Sequence, residues 1–149
     1  MEELNRLARY HFKNRDLDRA EYYLKTILEK EEDHEAYFYL GMILNMKNDS
    51  DKALYYFYKS LQIESEYGNA SNEIGVLLLR LGKEKESVYW FKKAIKSRHN
   101  EALHIPLFNL AMIYKLWNRP ERSLQYLHQA IKQKPDFREA LNLRDELIS

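Results

Sequence analysis

Two stretches, YFYLGMILNMKNDSDKALYYFYKSLQI at residues 37–63 and NEIGVLLLRLGKEKESVYWFKKAIK at 72–96, carry one apolar pattern displaced by 34 residues. Gly41 falls on Gly75, Leu40 on Ile74, Leu44 on Leu78, Phe57 on Phe91 and Leu61 on Ile95. Backward, the register takes in Leu7, Ala8, Ala20, Leu24 and Ile27; forward, it takes in Leu110, Ala111, Tyr114, Ser123, Leu127, Ala130 and Pro135, with two extra residues before the last copy. A period of this length marks stacked supersecondary units, none of which buries its apolar face alone. The units read as 1–33, 34–67, 68–103 and 104–137, with 138–149 left as one further helix.

Within each unit, apolar residues recur three and four apart on either side of a short polar turn: NRDLD, NDSD, LGKEK or NRPE. That spacing predicts two helices, and the turn residues supply positive φ or fix a helix start. The expected class is all-α. A glycine inside a helix costs about 0.8–1.0 kcal/mol relative to alanine, so Gly41 and Gly75 imply a close neighbour. The stripe of Tyr37, Leu40, Gly41 and Leu44 is expected to meet Ala53, Phe57 and Ser60 of the partner helix.

In these four copies the chain resembles the tetratricopeptide repeat family over nearly its whole length. The resemblance rests on small residues at Ala8, Gly41, Gly75 and Ala111, and at Ala20, Ala53, Ser87 and Ser123. Bulky Leu24, Phe57, Phe91 and Leu127 and small Ser60, Ala94 and Ala130 complete it. The departures are Ile27 in place of the usual alanine, a boundary proline in the last unit only, and the two extra residues. The resemblance implies a right-handed α-solenoid forming a single domain over 1–149, with ligands taken by the concave face of the first helices.

Composition narrows the alternatives. The chain has 149 residues, 45% hydrophobic and 13% aromatic, enough for a continuous core. Four glycines and three prolines leave little for long loops. Mean hydropathy is −0.68 and no apolar run reaches 18 residues, so no membrane span is expected. The start, MEELNRLARYHF, has no signal-peptide pattern, which makes a cytoplasmic location the default expectation.

Nothing nominates catalysis, and an enzyme is not expected. There is no cysteine, which removes disulfides, thiolate metal sites and cysteine nucleophiles. The five histidines, His11, His34, His99, His104 and His128, are scattered without metal spacing. In GVLLLRLGK six residues separate the glycines, Glu84 follows where Ser or Thr would bind magnesium, and no strand precedes, so this is no phosphate loop. No cofactor is expected.

Residues 1–74 hold 10 Lys/Arg against 15 Asp/Glu, a balance of −5, whereas 75–149 hold 14 against 8, a balance of +6. This polarity suits a charged partner or head-to-tail contact between copies. Lys92, Lys93, Lys96 and Arg98 beside Tyr89 and Trp90 hint at nucleic acid, but a chain of net charge +1 lacks the expected basic footprint. The tail DFREALNLRDELIS places Ala140, Leu143 and Leu147 on one stripe, as a helix covering unit four would. With a mostly polar first helix, the array reads as complete. Pro106 lies either in the first turn of a helix starting near Leu103 or, for a start near Glu101, at a kink.

Function is therefore expected from the surface: a scaffold or adaptor that binds a protein or peptide, or alternatively a self-assembling structural protein. Some members of the family grip acidic C-termini through Lys and Asn on three successive first helices. Asn5, Arg9, Tyr39, Asn69 and Glu73 do not reproduce that clamp. A second apolar stripe lies beside the packing stripe: Phe38, Met42 and Met46 in unit two, Asn72, Val76, Leu79 and Arg80 in unit three, and Ile105, Phe108, Met112 and Leu116 in unit four. Methionines and aromatics form an adaptable surface suited to an amphipathic helix or apolar peptide. Phe38, Met42, Phe108 and Met112 are the expected anchors, with Asn45, Asn72 and Lys115 as polar contacts. Neighbouring first helices are expected to consume part of this stripe.

Overall fold

A computed structural model describes residues 1–149 and shows nine helices. They group into two compact units, Met1–Ser65 and Glu66–Ser149. The first holds α1 (Glu2–Lys13), α2 (Leu17–Lys30), α3 (His34–Met46) and α4 (Ser50–Ile63). The second holds α5 (Gly68–Arg80), α6 (Glu84–Lys96), α7 (His104–Leu116), α8 (Pro120–Gln133) and α9 (Arg138–Ile148). Helices α1–α2, α3–α4, α5–α6 and α7–α8 pack as hairpins; α2 also meets α3, α6 meets α7, and α8 meets α9.

The four turns share one geometry. Arg15, Asn48, Gly82 and Asn118 take φ of 63, 63, 81 and 57°. The following amide donates back across the turn in every case: Asp16 to the His11 carbonyl, Asp49 to Leu44, Lys83 to Leu78 and Arg119 to Tyr114, at 2.8–2.9 Å. This is the bond that satisfies an orphan carbonyl at a helix end when the preceding residue is left-handed. Starts differ between the units. Asp16, Asp33 and Asp49 cap α2, α3 and α4 by accepting from the amides of Arg19, Ala36 and Lys52. In the second unit α8 begins instead on Pro120, whose fixed φ and missing N–H suit that position.

The glycines are explained by the rings opposite them. A Cβ built on Gly41 would lie 2.6 Å from Cε1 of Phe57, and one on Gly75 would lie 2.6 Å from Cε1 of Phe91. Both rings are fully buried, so neither can retreat. Where the facing residue is Leu24 or Leu127, the aligned small residue is alanine, Ala8 or Ala111. The buried Ser87 and Ser123 hydroxyls donate to the carbonyls of Gly75 and Ala111 at 2.9 and 2.7 Å, tying each second helix to its first.

The two extra residues fall in the α6–α7 connection, which folds back on the entry to α5. His99 donates to the Glu66 carbonyl at 3.1 Å, and the Gly68 amide donates to the His99 carbonyl at 2.9 Å. The Asn100 side chain donates to the Ala94 carbonyl, and its Cβ stands 2.7 Å from where a Cβ of Gly68 would be. Pro106 is the third residue of α7, inside the first turn, where no intrahelical N–H donation is required of it. The start near Leu103 is therefore the one adopted.

Candidate functional site

In the first unit the second apolar stripe lies on α3. Phe38 is only 8% exposed, with its ring 5.7 Å from Phe57. That side chain serves the hairpin and leaves little surface for a ligand. Met42 and Asn45 are half-buried, and Met46 at the helix end is 40% exposed. On the α1–α3 side, Phe12 meets Tyr39 edge-on at 5.0 Å and Arg9 pairs with Glu35 at 2.8 Å. A hollow of about 470 Å³, lined by Asn5, Arg6, Arg9 and Glu35 among others, opens there.

In the second unit the stripe divides between two clusters. Val76 and Leu79 pack on Phe91, Leu110 and Ile113. Phe108 and Met112 pack on Ala111, Leu127, Ala140 and Leu143, with the Phe108 ring 5.1 Å from Phe137. Helix α9 thus takes part of the α7 face, in the way a neighbouring first helix would. What remains open is Ile105, 39% exposed, and Leu116, 65% exposed, at opposite ends of α7. The polar residues are engaged as well. Lys115 pairs with Glu146 of α9 at 2.9 Å. Asn72, 7% exposed, accepts from the Asn109 amide at 3.2 Å, bridging α5 and α7.

Glu73 stands next to that bridge. Burial pushes its carboxyl above the usual carboxylate range, and the charge of Arg80 two turns along α5 only partly opposes this. The spacing of the sequence did not single it out, because Glu73 enters there only as a mismatch to a clamp. Nor did periodicity find the Asn72–Asn109 bridge, whose members sit at neighbouring, not equivalent, repeat positions.

The second unit carries further hollows away from the stripe. One of about 640 Å³ is lined by Tyr114, Trp117, Arg119, Glu121, Arg122 and Gln125. Another of about 250 Å³ is lined by Lys92, Ile95, Lys96 and Tyr126. No group of three or more His, Cys, Asp or Glu side chains is placed to hold a metal ion, and no helix is long and apolar enough to cross a membrane.

Repeated helical hairpins with small residues facing bulky ones define a helical repeat protein of the kind whose surfaces bind other proteins. Tetratricopeptide repeat models match residues 5–69 and 106–144, and the chain belongs to the tetratricopeptide repeat family. No curated protein matches it in sequence. Among solved structures it is similar to the pilF protein of Pseudomonas aeruginosa, with a TM-score of 0.89 at 14% identity over 99% of this chain and 67% of that one. It is also similar to PilW, a type IV pilus biogenesis factor, with a TM-score of 0.83 at 21% identity over 93% of this chain and 64% of that one. A third is YrrB, a tetratricopeptide protein with an unusual peptide-binding site, with a TM-score of 0.73 at 19% identity over 93% and 71%. At these identities the likeness is one of fold.

Proposed function

We propose that this protein is a non-enzymatic scaffold or adaptor, and that within each unit the first helices offer a surface for an apolar or amphipathic peptide segment. The observation that carries the reading is the apolar surface left on α3 and α7 after packing is satisfied: Met42 and Met46 on one, Ile105 and Leu116 on the other, with Met112 half-buried against the α9 cluster. Methionine is flexible and polarizable, so such a surface adapts to a helix-shaped apolar ligand. The peptide-binding site named for YrrB is a property of that protein and lends the reading fold-level support only.

The test is capture of partners from an extract of the native cell by the protein and by a Met42→Glu/Met112→Glu variant, with bound proteins identified by mass spectrometry. Both positions are half-buried, so the variant is expected to fold, which circular dichroism checks. Captured proteins should disappear with the variant. Their survival would place the binding surface elsewhere. Sedimentation of the isolated protein over a range of concentrations separates the adaptor from a self-assembling protein, since the adaptor should keep a constant mass.

A further inference from the structure

The cations of the two units are used differently. In the first unit Arg6, Arg9, Arg19, Lys25, Lys47 and Lys52 all reach a carboxylate within the unit. In the second, ion pairs form at Lys115 with Glu146 and at Arg144 with Asp145. Lys92, Lys96, Arg119 and Arg122, on α6, on α8 and at the turn before it, make none. Between Glu84 and Gln133 the sequence holds 9 Lys/Arg against 4 Asp/Glu, so there is no local carboxylate surplus to neutralise them.

These cations surround fixed apolar walls. Tyr114 and Tyr126 stack with ring centroids 5.5 Å apart at 14°. Tyr114 lines the hollow of about 640 Å³ and Tyr126 the hollow of about 250 Å³. Arg122 lies over Tyr114, 5.6 Å from its centroid. The indole N–H of Trp117 donates to the Glu84 carboxylate, which fixes that ring. Ile95, Tyr114, Trp117 and Tyr126 all rest on the buried cluster of Phe91, Leu110 and Ile113. The walls are held from beneath, while Lys92 and Lys96, one helical turn apart on α6, line the smaller hollow beside Ile95.

We propose that this α6–α8 face is a second docking surface, and that its occupant is an acidic polypeptide segment carrying one bulky apolar side chain. The apolar side chain seats against Ile95 and Tyr126, and flanking carboxylates pair with Lys92, Lys96 and Arg122. The smaller hollow lies below the roughly 300–1,000 Å³ of small-molecule sites, which is the scale of a single side chain. The face shares no lining residue with the apolar stripe of α7 and does not depend on it.

Fluorescence anisotropy tests this with a fluorescein-labelled acidic peptide, Glu and Asp throughout with a central Phe. Comparison probes are its Phe→Ala counterpart, a uridine oligonucleotide and phosphatidylserine-containing vesicles. The Phe peptide should bind the intact protein, weaken as salt is raised, and weaken by about tenfold or more in a Lys92→Glu/Lys96→Glu variant. Both lysines are exposed, so that variant should give an unchanged circular dichroism spectrum. The Met42→Glu/Met112→Glu variant should bind the peptide as the parent does, which separates this surface from the stripe. The inference is overturned by absence of binding, by affinity that survives the lysine reversal, by indifference to Phe→Ala, or by equal or tighter binding of the oligonucleotide or vesicles.

Discussion

Pairing glycine with phenylalanine and alanine with leucine across a hairpin is a packing rule that a double-mutant cycle can measure. Adding a methyl group at position 75 puts it 2.6 Å from Cε1 of Phe91 and 2.8 Å from Cδ1, well inside van der Waals contact. Phe91 has no exposed surface and lies against Leu110 and Ile113, so the ring moves only by displacing α7. Gly75→Ala should therefore carry an overpacking cost of about 1–3 kcal/mol, offset by the roughly 0.8–1.0 kcal/mol that alanine gains in a helix. Phe91→Leu alone should cost about 1–2 kcal/mol for lost contacts and a residual void. Together they rebuild the pairing already present at Ala111 and Leu127. The double variant should be more stable than the sum of the singles predicts, by about 1–3 kcal/mol, within the range of coupling seen for touching residues. Urea unfolding followed by circular dichroism, with midpoint and slope reported for all four proteins, supplies the cycle. Effects that add to within about 0.3–0.5 kcal/mol would show that the ring and the glycine do not constrain each other.

Other expectations follow from single positions. Arg15 is the one residue in the four left-handed turn positions that is neither Gly nor Asn; Arg15→Gly should raise stability by about 0.5–1 kcal/mol, and a lower melting temperature would refute strain there. Burial raises the Glu73 pKa in the folded protein, so its ionisation penalty is absent below the unfolded glutamate value of about 4.3 and complete once pH exceeds the folded value. Glu73→Gln should accordingly stabilise the protein at neutral pH and lose that advantage on acidification, as thermal melts across pH would report; a pH-independent difference would refute it. Removing residues 138–149 strips Ala140 and Leu143 from the cluster of Ala111 and Leu127, and should cause aggregation or a large loss of stability, readable by light scattering and thermal melting.

The fold was legible because the residues that make it recur. One small residue facing one bulky residue, four times in register, dictates hairpins whatever occupies the surface, and the turn residues repeat with them: Asn48, Gly82 and Asn118 take the left-handed conformation their chemistry favours. Arg15 shows the limit of that inference. In NRDLD the asparagine is one residue early, and the hydrogen bond from Asp16 to His11 requires the left-handed residue at 15; the backbone geometry prevails over side-chain preference. The candidate site was less legible for a related reason. A first helix shows a ligand and a neighbouring helix nearly the same apolar pattern, so the sequence could not divide Phe38 from Met42, or Phe108 from Ile105. Only packing divides them, because Phe38 finds Phe57 and Phe108 finds Phe137. The α6–α8 face was harder still to read. Its defining property is that Lys92, Lys96, Arg119 and Arg122 lack carboxylate partners while standing around rings held in place, and periodicity carries no information about an interaction that is missing. Such features belong to one copy of a repeat and not to the others. They are where a repeat protein's specificity resides, since the shared residues are already committed to holding the hairpins together.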